Sequence, residues 1–321
     1  MTVPRLVLLP PDAYANQVLP LTQELWAGAR DLATYVRHTL ELAHSPYGRR
    51  WYRTFGWYDG STLVGSFKRY ERTIHHERRR LKAMGIGAVF TVPEYRGRGY
   101  GRTMLATALD RAGEDGYDLA YLFSDIHPAF YAAIGLRELP SRSFSFRSDA
   151  LPPQRIEVAQ IATRDWPAIE RMFARRERLR PWGFERSASV WGWIRLRNEH
   201  ESQHPHGTAT CLALRTGEEI GAYVLGVRMA RRDAYVVDEF GFDAEHAGLV
   251  GPLLRAAAGD LRRVVGWLPP DGARRLLPRA SVHRRKSAIL MATALTPQGQ
   301  RLIESATAPS DCDGVWATDH V

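Results

Sequence analysis

The segment Arg96 to Gly101 reads R-G-R-G-Y-G, and its neighbours narrow what it can be. Before it runs Leu81 to Val92, whose Met84, Ile86, Ala88, Phe90 and Val92 alternate on one face as a strand requires. The other face is small, with Ala83, Gly85 and Gly87, which predicts a bulge or the close approach of another group. After it comes a helix from Tyr100 to Gly113, with Met104, Leu105, Ala108, Leu109 and Ala112 spaced on one side. A strand entering a helix through a glycine turn belongs to an α/β fold. Such a turn aims backbone N–H groups at an anion, and the helix dipole adds about half a positive charge there. Gly99 and Gly101 remove side chains that would keep a phosphate away, and Arg96, Arg98 and Arg102 supply cationic donors for its oxygens. The segment lacks the glycine and lysine spacing of a P-loop and that of a dinucleotide fingerprint.

The chain has 321 residues, enough for two domains of ordinary size. In the first part Leu6 to Leu9 reads as a strand, and Ala13 to Ala27 and Asp31 to Ala43 as helices. Trp51 to Tyr58 and Thr62 to Ile74 read as a hairpin joined at Asp59-Gly60. A turn at His75 to Arg79 leads into the strand before the glycine loop. Beyond the helix, Leu119 to Phe123 is a short buried strand, Pro128 to Ala133 a short helix and Leu136 to Phe146 a closing strand. Ser148 to Gln154, with Pro152-Pro153, reads as a linker. The rhythm then restarts. Arg155 to Ile161 is a strand, Arg164 to Arg178 and Ala188 to Asn198 are helices, and Ala209 to Leu214, Glu219 to Met229 and Ala234 to Phe242 are strands. Glu245 to Leu261 is a helix, followed by strands at Arg263 to Trp267 and Ala288 to Leu295. This repeat of element order divides the chain into 1–150, 151–297 and a tail, 298–321. The tail carries a short helix near Gln298 to Ser305 and a Val315-Trp316 pair.

Composition narrows the class. Hydrophobic residues make up 45%, enough to build a core. No apolar run approaches the roughly 20 residues of a membrane helix. Leu6 to Leu9 is bounded by prolines and followed by no cleavage site, so it is not read as a signal peptide. Cys211 and Cys312 lie far apart without ligand spacing, which speaks against a disulfide framework or a zinc site. The expectation is a bacterial, cytoplasmic protein without a metal. The formal net charge is +9, nearly all of it from arginine, and the excess is spread over both halves. A nucleic-acid binder concentrates such charge in one patch, so neither a nucleic acid nor a membrane is expected as partner. The densest basic run, Arg78-Arg79-Arg80 with Lys82, reads as a solvated hairpin tip, with phosphate contact as the alternative.

The run V-F-T-V-P-E-Y-R-G-R-G-Y-G resembles the acetyl-CoA-binding motif of the GNAT acetyltransferases. Downstream, Y-L-F-S-D-I-H-P-A-F-Y-A-A-I-G-L resembles that family's fifth strand and fourth helix, with Leu136 in place of the usual Phe. The likeness covers about Ala13 to Ser148. The whole pattern looks most like the enhanced-intracellular-survival type of tandem GNAT enzymes, with no room for that type's third, sterol-carrier-like domain. The resemblance implies an α/β, mixed-sheet fold of two tandem GNAT-like domains and an N-acetyltransferase that moves an acetyl group from acetyl-CoA to a primary amine by direct attack. The acceptor is a small-molecule or protein amine. Backbone groups of Phe90, Thr91 and Val92 would pair with the pantetheine. Arg96, Gly97, Arg98, Gly99, Tyr100, Gly101 and Arg102 would hold the pyrophosphate. Tyr131 would protonate the departing thiolate. Ser124 would either hydrogen-bond the pantetheine or cap the next turn.

The base is left open among Glu71, Asp125, His127 and a C-terminal carboxylate. The related tandem enzymes place their own C-terminal carboxylate in the active site, which makes Val321 a candidate here. His127 otherwise caps the short helix, and His75 and His76 sit in a turn. In the second half the matching segment reads F-D-A-E-H-A-G-L-V-G, with Asp243 and Glu245 where a phosphate would sit. That half is therefore expected to be a degenerate domain that shapes the acceptor cleft. Asp238 and Glu239 would be structural or would meet a cationic amine. Trp166, Trp182, Trp191 and Trp193 are expected in the core or between the halves. The alternatives are a non-catalytic acetyl-CoA sensor or scaffold and a basic nucleic-acid binder. The sequence names neither the acceptor, the acyl length nor the oligomeric state.

Overall fold

The computed structural model describes residues 3–125, 128–152, 156–202, 207–217, 219–270, 276–277, 280–308, 310 and 312–320. His127, Pro153 to Arg155 and Val321 lie outside them. The strands are β1 (Arg5–Leu9), β2 (Tyr52–Asp59), β3 (Thr62–His76), β4 (Arg79–Thr91), β5 (Leu119–Ser124), β6 (Arg137–Glu138), β7 (Arg142–Arg147) and β8 (Val158–Gln160). They continue as β9 (Trp182–Phe184), β10 (Thr208–Ala209), β11 (Leu212–Thr216), β12 (Glu219–Met229), β13 (Ala234–Phe242), β14 (Arg263–Trp267), β15 (Ser281–Arg284) and β16 (Ile289–Ala294). The helices that matter below are α1 (Pro11–Gln17), α2 (Leu19–Trp26), α3 (Leu32–His44), α4 (Pro46–Trp51), α5 (Tyr100–Glu114), α6 (Pro128–Ala132), α7 (Trp166–Glu177), α8 (Ala188–Ser202) and α9 (Val250–Ala258). Among the described residues no helix is long and apolar enough to cross a membrane.

The strands form two mixed sheets of eight. One runs β1-β2-β3-β4-β5-β16-β6, with β9 also on β3, and the other β15-β7-β14-β13-β12-β11-β8, with β10 on β12. The two sheets exchange strands. β7 leaves the first part of the chain to pair with β14 and β15, while β16 returns to lie between β5 and β6. This corrects one reading, since Leu136 to Phe146 is not one closing strand, and it places the last strand, expected at Ala288 to Leu295, in the first sheet. The crossing happens at Pro140, which has no N–H to continue a ladder. Leu139 N–H still reaches the Leu290 carbonyl at 2.8 Å, and Ser141 Oγ accepts the Leu290 N–H at 2.9 Å.

Smaller departures also have local causes. The helix expected at Ala13 to Ala27 breaks at Val18, because Pro20 enters the first turn of α2 without an N–H donor. The start of the expected strand at Trp51 is instead the end of α4, where Ser45 Oγ accepts the Gly48 N–H at 3.0 Å and Pro46 sits in the first turn. The turn into β4 is only Glu77 and Arg78, both with left-handed φ of 47° and 67°. Arg78, Arg79 and Arg80 are exposed there, and Arg80 Nε donates to Glu185 at 2.8 Å.

Among the contacts that join the halves and the tail, three stand out. Trp193 of α8 packs on Tyr47, Tyr52 and Tyr70 at ring distances of 5.0, 5.4 and 6.1 Å. Trp316 of the tail is buried edge-on against Phe240 at 5.0 Å. The third is ionic. Arg186, fully buried, donates to Glu239 of β13 at 2.7 Å and to Asp319 of the tail at 3.1 Å, and Arg72 of β3 reaches the same Asp319 at 3.0 Å. Burial opposes the charge on Asp319, but Arg186 and Arg72 outweigh it and hold the carboxyl below its ordinary range.

Candidate active site

The geometry starts from one slip in register. Ser66 of β3 faces Phe90 of β4, but Lys68 faces Gly87, so Ala88 and Val89 together oppose Phe67. Ala88 takes a left-handed φ of 47° in this bulge. Bulges add twist and end pairing. Here the parallel pairing of β4 with β5 runs from Ala83 and Leu119 to Ile86 and Leu122 and then stops, although both strands continue. A wedge therefore opens between Ala88 to Thr91 and Phe123 to Ser124. Val92 N–H donates to Val64 O at 3.0 Å. Alternation then turns the backbone groups of Phe90 toward β3 as well and those of Thr91 toward the wedge. Of the three residues predicted to meet a ligand through the backbone, Thr91 is the one so directed. Gly85 shows the predicted close approach: an added Cβ would lie 2.8 Å from the Tyr121 hydroxyl oxygen.

The glycine loop stands at the mouth of the wedge. Arg96, Gly97, Arg98 and Gly99 are exposed, and Gly97 and Gly99 have left-handed φ of 76° and 85°. Gly99 is the N-cap of α5 and offers no side chain to its first N–H groups. Arg96 Nε bonds the Thr91 carbonyl at 3.0 Å, and the Tyr100 hydroxyl donates to Asp59 at 2.5 Å, which fixes the loop to β4 and β2. Arg98 lies 5.5 Å over the Tyr95 ring, and Arg102 is exposed. Gly101 is tight, since a Cβ would meet Thr91 Oγ1 at 3.1 Å and the Phe130 ring at 3.5 Å.

Across the wedge, α6 carries Tyr131, 9% exposed and packed on Phe130 at 5.0 Å. Burial, then the charge of Asp125, pushes its phenol up to about 12. Asp125 accepts the Ala288 N–H at 3.0 Å, and Ser124 is buried opposite Ile289 of β16. Asp125 and Ala288 also line a cavity of about 310 Å³ whose far wall is Arg197 of α8 with Thr318 and His320 of the tail. The tail lines this cavity as far as His320. Its carbonyl accepts from Arg197 at 2.5 Å and its ring lies 4.9 Å from Phe123.

The other candidates separate. Glu71 faces Met84, before the bulge, and its carboxylate is taken by the Tyr117 hydroxyl at 2.7 Å and by Lys82 at 3.5 Å. His75 meets Glu177 at 3.3 Å, and His76 is buried. Glu239 is enclosed by Tyr223, Arg186 and Thr318 as a structural acid, while Asp238 lines the 310 Å³ cavity. Asp243 pairs with Arg175 at 2.6 Å and Glu245 is exposed. The helix expected from Glu245 opens instead as a 3₁₀ turn, Ala244–Leu249, ahead of α9. Trp182, Trp191 and Trp193 are buried, with Trp166 packed on Trp191 at 6.1 Å.

The sequence did not single out one cluster. His38, Glu41 and His200 bring donor atoms within 4.8 Å of one another. The two imidazoles stack at 3.9 Å with an interplanar angle of 0°, so their in-plane lone pairs run parallel instead of converging as ligands to one ion must.

The part of the chain that carries this wedge and glycine loop matches a family model for acetyltransferase (GNAT) domains over residues 14–138. Residues 14–138 form a GNAT acetyltransferase domain. The match supports an N-acetyltransferase, and GNAT enzymes generally draw their acyl group from acetyl-CoA and act on amines. No curated protein matches the sequence. Solved structures share the fold over nearly the whole length. A GCN5-related N-acetyltransferase from Anabaena variabilis superimposes with a TM-score of 0.72 at 14% identity, covering 92% of this chain and 73% of that one. Eis1 from Mycobacterium abscessus gives 0.59 at 13%, covering 91% and 74%. A tandem GNAT protein from the clavulanic acid biosynthesis pathway gives 0.53 at 14%, covering 92% and 99%. The chain therefore has an α/β fold of two tandem GNAT-like domains, as the resemblance implied.

Proposed function

We propose that the chain transfers an acetyl group from acetyl-CoA to a primary amine by direct attack in a ternary complex. The observation that supports it best is the wedge at the bulge of β4, with the uncapped N-terminus of α5 at one side and Tyr131 at the other. The pyrophosphate would lie on the N–H groups that follow Gly99, assisted by Arg96, Arg98 and Arg102. The pantetheine would run along Thr91, extending β4 as a strand would, with Ser124 on the facing strand. Tyr131 keeps its proton at neutral pH and would deliver it to the sulfur as the C–S bond breaks.

The amine loses its own proton to a base. Asp125 borders the cavity where the amine must wait, and the Val321 carboxylate is proposed beside it because His320 already reaches that cavity. Residues 151–297 would be a degenerate domain without a second acyl site, since Asp243 and Glu245 occupy the phosphate position. Tyr131→Phe tests the acid role. Thiol release from acetyl-CoA should fall by about 100-fold or more in kcat, with acetyl-CoA affinity unchanged. An unaltered kcat would remove Tyr131 from the mechanism. Removing residues 318–321 in the same assay tests the tail, and undiminished turnover would exclude it.

A further inference from the structure

Beside the bulge, under α2 and α3, lies a second cavity of about 190 Å³. Arg197 lines this cavity as well as the one that holds Asp125, so the two are neighbours. Its wall carries Arg30, Lys68 and Arg197 beside the stacked His38 and His200, and Ala88 of the bulge closes one side. Among the described residues no carboxylate pairs with any of these three cations. Arg30 donates to the Ala27 and Trp26 carbonyls at 2.8 and 3.0 Å. Arg197 donates to the His320 carbonyl. Lys68 Nζ lies over the Tyr14 and Tyr52 rings at 5.6 and 5.9 Å. Glu41, beside the stacked histidines, is bound to His200 at 2.7 Å and half-exposed.

Three cations brought together, with no carboxylate paired to them among the described residues, repel one another and lose hydration. Lys68 registers this: burial, then Arg30, lowers its ammonium to about 8. An anion entering the cavity removes both penalties, whereas a polycation adds to them. The acids lie on the other side of Arg197, where Asp125 and Asp238 line the larger cavity. The pair of cavities is therefore polarised, basic beside the bulge and acidic beside Tyr131.

We infer that the acceptor is an amine that also carries an anionic group, a carboxylate or a phosphate, which Arg30, Lys68 and Arg197 seat while the amine faces the wedge past Ala88. This rests on the acyl-transfer reading above. The test compares acceptors by thiol release from acetyl-CoA: 4-aminobutyrate, 3-aminopropyl phosphate and butylamine, of matched length, and the polycation spermidine. One of the two anionic amines should exceed butylamine in kcat/KM by about 10- to 100-fold, and which one identifies the group. Arg30→Gln should raise KM for that acceptor about tenfold and leave KM for butylamine within about twofold. Calorimetric binding of the same two anionic amines to the full chain, with and without Arg30→Gln, gives a readout that does not need turnover. Equal or better use of butylamine or spermidine overturns the anionic subsite and leaves acyl transfer standing. Binding that Arg30→Gln abolishes, without thiol release on any amine, overturns acyl transfer and supports the subsite. Neither binding nor turnover overturns both.

Discussion

Replacing Gly99 by alanine separates the ligand's demand on the loop from the fold's. Gly99 has a φ of 85°, and Gly116, at the far end of α5, has a φ of 73°. A Cβ at either position would meet no protein atom within 4 Å. Both substitutions therefore carry the same internal cost, about 1–2 kcal/mol of left-handed strain. The loss of chain freedom in the unfolded state offsets about 0.4–1 kcal/mol of it. Each should lower Tm by no more than a few degrees. They differ in what faces the new methyl group. At Gly99 it is added at the uncapped N-terminus of α5, where the proposed pyrophosphate would approach. Losing one charge-assisted N–H contact costs about 1.5–3 kcal/mol, or about 10- to 150-fold in Kd. Calorimetric titration with acetyl-CoA should show that weakening for Gly99→Ala and less than a twofold change for Gly116→Ala, with matched melting temperatures. Equal effects of the two substitutions on Kd, or no effect of either, would refute the assignment of the loop to the pyrophosphate.

Two further outcomes follow from buried charge. Arg186→Met leaves Glu239 buried without its cation and Asp319 with Arg72 alone, and should cost about 3–5 kcal/mol in urea unfolding; a loss under about 1 kcal/mol would mean that the tail is not anchored by this network. Because the Tyr131 phenol is raised to about 12, its acid form persists through the working range, and kcat should show no descending limb from it below about pH 11; a limb near pH 9 that Tyr131→Phe removes would contradict this.

The glycine loop and its flanking strand and helix were legible because alternation, glycine and an amphipathic stripe coincide in one short segment. Strands such as Glu219–Met229 and Arg263–Trp267 were readable to the residue, since turn residues bound them on both sides. The exchange of β7 and β16 was not readable, because alternation gives a strand's buried face and not its partner. β9 is three residues long and lies below any periodic signal. The bulge left only a trace in the small face at Gly85 and Gly87, and Ala88 itself looked like one more member of the alternating set. The basic cavity left none. Arg30 precedes a helix, Lys68 lies in a strand and Arg197 in a helix of the other half, and only the packing of α8 against the first half brings them to one wall.

One acyl-transfer site per chain, confined to the first half, is most directly tested by the stoichiometry of acetyl-CoA binding to the full-length protein. Equilibrium titration should give one site per chain, and Gly99→Val should abolish it. Two sites, or one that survives Gly99→Val, would contradict the account.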